Sequence, residues 1–366
     1  MFAQLRLPKR SFLLPLAAIS FSIAACQPQS TTEAPIGTSS PVSAPADGGG
    51  ANVSLTGAGA SFPAPLYQRW FSEYNKQNPN VRVSYQSVGS GAGVEQFTKG
   101  TVDFGASDTA MKKEEIAKVQ QGVVLLPMTA GAIVVGYNLP GVESGLQLPR
   151  QVYTDIFLGN IKNWNDPRIA KANPNAKLPD QPITVVYRSD GSGTTSVFTQ
   201  HLSAISPDWK SKVGSGKTVS WPTGVGAKGN EGVTAQIQQT QGSISYLEYG
   251  YATQQNIPVA TLENKSGNFV APNPESAART LEAVKLPENL VAFITDPEGE
   301  QSYPIVTYTW IIAYDNYQDK NEAQALKNVI DWALTEGQQY SDDLGYIPLP
   351  KTVVDRVQQR AEQITS

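Results

Sequence analysis

From Val53 onward, short β-branched runs alternate with amphipathic helical patterns. That alternation restricts the chain to α/β architecture built on open sheets. Strands are expected at Val81–Ser87, Val102–Ala106, Val123–Leu126, Ala132–Tyr137, Ile183–Tyr187 and Ile305–Ala313. Helices are expected at Pro65–Tyr74, Glu114–Gln120, Arg150–Phe157, Thr194–Ala204, Glu231–Thr240, Pro274–Val284, Asn321–Thr335 and Thr352–Gln363. Leu66, Trp70, Phe71 and Tyr74 share one helical face, as do Leu326, Val329, Ile330 and Leu334. A chain of 366 residues that is 40% hydrophobic exceeds one compact core and suits two lobes. The β-rich stretches 123–139 and 303–314 are candidates for segments crossing between them. The expected division is 52–130 plus 310–366 for lobe I and 131–309 for lobe II.

The first 26 residues have another character. Arg6, Lys9 and Arg10 precede an apolar run from Phe12 to Ala25 that is short for a bilayer span. Small residues then lead into Cys26, the only cysteine. This pattern predicts a secretory signal. Its Ile23-Ala24-Ala25-Cys26 ending resembles a bacterial lipobox, which makes Cys26 a lipidation candidate. Residues 27–51, rich in Pro, Ser, Thr and Gly, read as a flexible tether. No other segment looks apolar and long enough to cross a membrane. Removing the signal takes away three of 28 basic residues and none of the 32 acidic ones, shifting the formal charge from −4 to −7. That sign argues against nucleic acid as a partner. Any bound anion must be held by local groups.

Three segments combine glycine with hydroxyls: Gly57–Pro63, Gly89–Gly93 and Arg188–Thr195. Each stands ahead of a helical pattern. Exposed N–H groups at helix starts hold anions, and glycine lets backbone approach a ligand. Any one such loop is equally well explained as a cap or turn. Three together, one carrying Arg188, point to a shared oxyanion site. Arg188 offers a planar fork for two oxygens, with Asp190 placed to orient it. Asp108, after the expected strand Val102–Ala106, is either a helix N-cap or a proton acceptor. In the second role it favours phosphate, which carries an O–H at neutral pH, over sulfate, which has none.

The strings GAGASFPAPLY (57–67), SVGSGAGVEQ (87–96), VDFGASD (102–108) and YRSDGSGTTSVFT (187–199) resemble the phosphate-binding proteins of the bacterial phosphate-specific ABC transporter. The likeness continues through NEGVTAQIQQTQGSISYLEYGYA (230–252) and covers nearly all of 53–366. It implies a two-lobed type II periplasmic-binding-protein fold: open mixed sheets flanked by helices, with the ligand in the cleft between lobes. It implies phosphate contacts from Ser61, Phe62, Ser90, Asp108, Arg188, Ser192, Gly193 and Thr194, with Asp190 behind Arg188. Ser61 stands where many relatives have Thr, and Thr195 where some have Ser. Implied partners are inorganic phosphate, the membrane permease subunits and, through the lipid, a membrane surface. Arsenate is a second candidate ligand. The expected protein is a periplasmic or cell-surface monomer without cofactor or metal.

A secreted phosphatase is the main rival, and a sensor without transport role another. The sole histidine, His201, falls nine residues after Ser192 on one helix, about 13 Å at 1.5 Å per residue. That is too far for a nucleophile–base pair. Gly216-Lys217-Thr218 suggests a nucleotide loop, but Ser211 occupies the position of its first glycine. Six Trp and fifteen Tyr admit a sugar platform. Trp70 and Trp310 fit core patterns better, while Trp164 and Trp221 read as packing or rim residues.

Overall fold

The structure, a computed structural model, describes residues 52–366. The signal segment, Cys26 and the 27–51 tether lie outside the described residues. Eleven strands follow in chain order: β1 (Val53–Gly59), β2 (Val81–Ser87), β3 (Phe104–Ser107), β4 (Val124–Asn138), β5 (Gln147–Leu148), β6 (Thr184–Arg188), β7 (Val225–Ala227), β8 (Ser243–Glu248), β9 (Thr261–Glu263), β10 (Phe269–Val270) and β11 (Val306–Ala313). Eight of them form one sheet in the order β2-β1-β3-β11-β4-β8-β6-β7, and β10-β9-β5 form a small second sheet.

β4 joins two halves of the large sheet. Its Val124–Ala132 part pairs antiparallel with β11, and its Ile133–Asn138 part pairs antiparallel with β8. The sequence predicts two strands here. Pro127, Gly131 and Gly136 interrupt the hydrophobic pattern without ending the strand. Pro127 stands where the β4–β11 register shifts, between Thr309 and Trp310. A bulge accommodates a residue that cannot donate to the ladder. β11 pairs with β3 and β4, and helix Lys320–Leu334 returns to pack on β1 and helix Ala64–Gln77.

On the first half, β1, β2 and β3 run parallel. On the second, β6 runs parallel to both β7 and β8. Most expected helices appear with ends shifted by one to three residues. The exception is the segment after Asp108. The helix there is only Lys113–Ile116, capped by Lys112, so Asp108 is not its N-cap. Not among the expected elements are β1, β8 and helix Ser90–Thr98, together with the short strands β5, β7, β9 and β10 and the short helices Pro167–Ala172, Pro207–Lys212 and Tyr249–Gln254.

Aromatic packing fills both halves. Tyr67, Trp70 and Phe71 of helix Ala64–Gln77 cluster with Tyr85 of β2 and Phe104 of β3. Phe157, Phe198, Trp209, Trp221 and Tyr246 cluster on the other side. Trp164 is a core residue: fully buried, it donates Nε1–H to the Gly242 carbonyl at 2.9 Å.

Helix Ser90–Thr98 lies against β1 at glycine distance. A Cβ on Gly93 would stand 2.3 Å from Gly59 Cα and 2.7 Å from the Ala58 carbonyl oxygen. Those atoms are backbone and cannot turn aside. Gly93→Ala should therefore cost about 2–3 kcal/mol by overpacking, read as a lower urea midpoint. An unchanged midpoint would mean that the helix rides farther from β1.

Candidate functional site

The polar loops occupy the carboxyl ends of parallel strands, where open α/β sheets place ligands. Ser61 and Phe62 follow β1 and precede helix Ala64–Gln77. Ser90 opens helix Ser90–Thr98 just after β2. Asp108 is the residue beyond β3. From the second half, Arg188 ends β6 and Ser192 caps helix Gly193–Ile205, its Oγ accepting the Thr195 N–H at 3.0 Å.

These groups meet in a buried cluster. Ser61, Phe62, Ser90, Asp108, Arg188, Ser192 and Thr194 are each at most 4% exposed. The Gly91 N–H donates to the Gly191 carbonyl at 2.7 Å, joining the two halves backbone to backbone. Glycine on both sides suits this close approach: a Cβ on either residue would come 3.2 Å from the other's Cα. Ser90 Oγ accepts from Gly193 N–H at 3.1 Å and from Asp108 N–H at 3.3 Å. Thr194 Oγ1 donates to Asp108 Oδ2 at 3.3 Å, and Thr309 Oγ1 donates to Asp108 Oδ1 at 2.9 Å. Phe62 holds its loop by packing edge-on to Tyr346, whose hydroxyl donates to the Phe62 carbonyl at 2.6 Å.

Arg188 is clamped by Asp190. Its Nε and Nη2 donate to Asp190 Oδ1 and Oδ2 at 2.7 and 2.5 Å. Nη1 faces Thr194 Oγ1 at 3.5 Å. Burial works against the guanidinium charge, but the hydrogen bonds and charge of Asp190 outweigh it and hold Arg188 above its ordinary pKa. Burial likewise opposes the Asp190 carboxylate, and Arg188 overcomes it and holds Asp190 low. Asp108 differs. Burial pushes it up to about 6, against hydrogen bonds from Thr309 and Thr194 and the charges of Arg188 and Lys217. A carboxyl poised there can exchange a proton near neutral pH.

Other members were not singled out from the sequence. Thr309 comes from β11, 201 positions after Asp108. Asn230 donates from both its backbone N–H and its side chain to Ser61 Oγ, at 3.0 and 2.9 Å. Lys217, in the segment that looked like a nucleotide loop, lies 3.8 Å from Glu115, and its carbonyl accepts the Ser192 N–H at 2.8 Å. His201 is a core residue, its Nε2 2.7 Å from Tyr153 Oη and its pKa lowered by burial to about 4. Among the described residues no group of three His, Cys, Asp or Glu side chains could hold a metal ion. None of the described helices is long and apolar enough to cross a membrane.

The family model for the PBP superfamily domain matches residues 31–336. The phosphate-binding protein PstS of Pasteurella multocida is 45% identical over 307 residues, covering 83% of this chain and 88% of the relative. PstS of Methanocaldococcus jannaschii is 41% identical over 319 residues, covering 81% and 82%. Among solved structures, the phosphate-binding protein of Stenotrophomonas maltophilia superposes with a TM-score of 0.66 at 20% identity, covering 84% of this chain and 93% of its own. A high-affinity periplasmic phosphate-binding protein solved with bound phosphate gives a TM-score of 0.69 at the same identity and coverage. At such identity the structural likeness establishes a shared fold: mixed α/β, two-lobed, with a curled open sheet.

Asp108 and His201 titrate in opposition. A carboxyl raised to about 6 stabilises the fold below its unfolded value near 4, and that contribution is lost as pH rises through about 6. A histidine lowered to about 4 stabilises above about 6.5, and that contribution is lost as pH falls through about 4. Asp108→Asn removes the first effect and leaves the second. Between pH 7 and pH 4, the stability of the parent relative to Asp108→Asn should rise by about 2 kcal/mol, measured by urea unfolding of ligand-free protein. Parallel pH profiles would show that Asp108 titrates as an ordinary carboxyl.

Proposed function

Because the chain belongs to the PBP superfamily and, within it, to the phosphate-binding proteins of ABC transport, we propose that it captures inorganic phosphate outside the cytoplasm and delivers it to a membrane permease. The observation that carries this reading is Asp108: one buried carboxylate among converging donors from both halves of the sheet. A ring of donors alone would suit any oxyanion. A carboxylate facing them repels an anion unless that anion brings a proton.

Bound phosphate receives donors from Ser61, the Phe62 amide and Ser90 on one side, and from Arg188, Ser192, Gly193 and Thr194 on the other. It gives its own proton to Asp108, while Asp190 keeps the Arg188 fork in plane. The lobes, taken as 52–130 plus 310–366 and 131–309, close over the ion and exclude water, which strengthens each dipole contact. The ligand is held and released without covalent chemistry. His201, buried against Tyr153, is out of reach of the site's serines as a base. Arsenate shares the required shape and proton. The protein acts as a monomer held at a membrane by lipid on Cys26, with 27–51 as spacer.

Calorimetric titration with phosphate, sulfate and a phosphate ester tests the assignment. Phosphate should bind, sulfate only weakly, and the ester should remain unhydrolysed. Indifference to phosphate would end the receptor reading. Arg188→Ala should weaken phosphate binding about 30-fold or more, since a buried charge contact costs about 2–5 kcal/mol to truncate. Asp108→Asn should narrow the preference for phosphate over sulfate, and an unaltered ratio would remove its role as proton acceptor. Cys26→Ala should release the protein from membranes, and continued lipid labelling would contradict the anchor.

A further inference from the structure

Ser61 and Ser90 have the same unusual feature: each hydroxyl oxygen already accepts two N–H groups. Ser90 Oγ takes Gly193 and Asp108 backbone N–H. Ser61 Oγ takes the backbone N–H and the side-chain amide of Asn230. A serine hydroxyl has two lone pairs and one proton. With both lone pairs engaged, it can only donate. For Ser90 the arrangement is made by backbone alone. For Ser61 half of it comes from one side chain on the other half of the sheet.

The orientation of that side chain is not ambiguous. Asn230 Oδ1 accepts the Glu248 backbone N–H at 3.1 Å, and a backbone N–H can only donate. The amide nitrogen must therefore face Ser61. Asn230 is fully buried, near the start of helix Gly229–Gln239. The region is fixed again by Tyr251, whose hydroxyl donates to the Ser61 carbonyl at 2.7 Å. Ser61 thus takes three hydrogen bonds from helices Gly229–Gln239 and Tyr249–Gln254, which belong to the other half-sheet.

We propose that Asn230 is a positioning residue that makes the Ser61 hydroxyl an obligate donor to the bound anion, and does so only when the two halves of the sheet are in contact. The proposal rests on the phosphate-receptor reading and deepens it. A serine free to rotate spends part of its time presenting a lone pair to the ligand, which repels an oxyanion. Asn230 removes that orientation. It thereby links the meeting of the halves to the polarity of a contact that the other loops cannot set.

A double-mutant cycle read by phosphate calorimetry on the full chain tests this. The four proteins are the parent, Asn230→Asp, Ser61→Ala and the double variant. Asn230→Asp keeps an acceptor for the Glu248 N–H but turns an oxygen towards Ser61, whose proton is then drawn away from the ligand. Each single variant should weaken phosphate binding about tenfold or more. The double variant should be within about threefold of Ser61→Ala, because the effects share one hydroxyl. A packing or simple charge effect would persist without that hydroxyl. Full additivity, or undiminished affinity in Asn230→Asp, would therefore overturn the proposal. If Asn230→Asp fails to fold, as judged by thermal denaturation, Asn230→Ala replaces it in the same cycle with the same expectations. Failure of the parent to bind phosphate would instead overturn the receptor reading.

Discussion

The buried pair between Arg188 and Asp190 is the constraint around which the site is organised. A guanidinium this deeply buried cannot stand alone, since desolvation outweighs what scattered dipoles return. Asp190 takes two edges of the fork and leaves Nη1 towards Thr194. The same carboxylate accepts the Gly229 N–H at 3.0 Å and lies against Gly89. Gly89 has a φ of 91°, and a Cβ there would come 2.3 Å from Asp190 Oδ2. One ion pair therefore fixes the cation, the start of helix Gly229–Gln239 and the approach of the second glycine loop.

Neutralising the cation in this way has an electrostatic consequence. The whole chain is acidic, with a formal charge of −4, so its far field does not draw anions in. With Arg188 offset by Asp190, and Asp108 adding negative charge, the site has no formal positive surplus except Lys217 at its margin. Attraction has to come from oriented N–H and O–H dipoles in a water-poor interior, where they act at low effective dielectric. Such attraction is short-ranged and depends on geometry. It explains why the fold invests so much in holding hydroxyls and amides in place. The irregular register of β11 beside Thr309 belongs to the same scheme. A bulge re-aims a side chain, and Thr309 reaches Asp108 Oδ1 from that position.

Sequence patterns revealed the parts of this design that are local. Helix Ala64–Gln77 could be read from one apolar face. The three glycine–hydroxyl loops could be read ahead of their helices, and the structure brings them together. The Arg188–Asp190 pair is two residues apart on one loop. What escaped was either made of small residues or assembled over long separations. β1 ends in Gly57-Ala58-Gly59, and helix Ser90–Thr98 contains Gly91 and Gly93, so neither presents the expected hydrophobic period. Both use glycine because helix and strand pack backbone to backbone. Asp108 admits both a helix-cap and a site-carboxylate reading from the sequence, because nothing local distinguishes the two. Its partners, Thr194 and Thr309, come from elements 86 and 201 positions away. Asn230 lay within a recognisable string, yet its role depends on facing Ser61, 169 positions earlier.

The two half-sheets share β4, but they meet again through the loops at their carboxyl ends. Gly91 to Gly191, Gly193 to Ser90, and Asn230 to Ser61 are all contacts between halves. The last two also set the orientation of the Ser90 and Ser61 hydroxyls. A donor set built this way is complete only when the halves are together. The free energy of bringing them together and the free energy of binding then become one coupled quantity, because a ligand can favour the joined arrangement only through contacts that the joined arrangement makes better. Selectivity follows from the same coupling. On the proposed reading, an anion without a proton would meet the Asp108 carboxylate unpaired and lose most where the contacts are driest, so discrimination would be sharpest with the halves together.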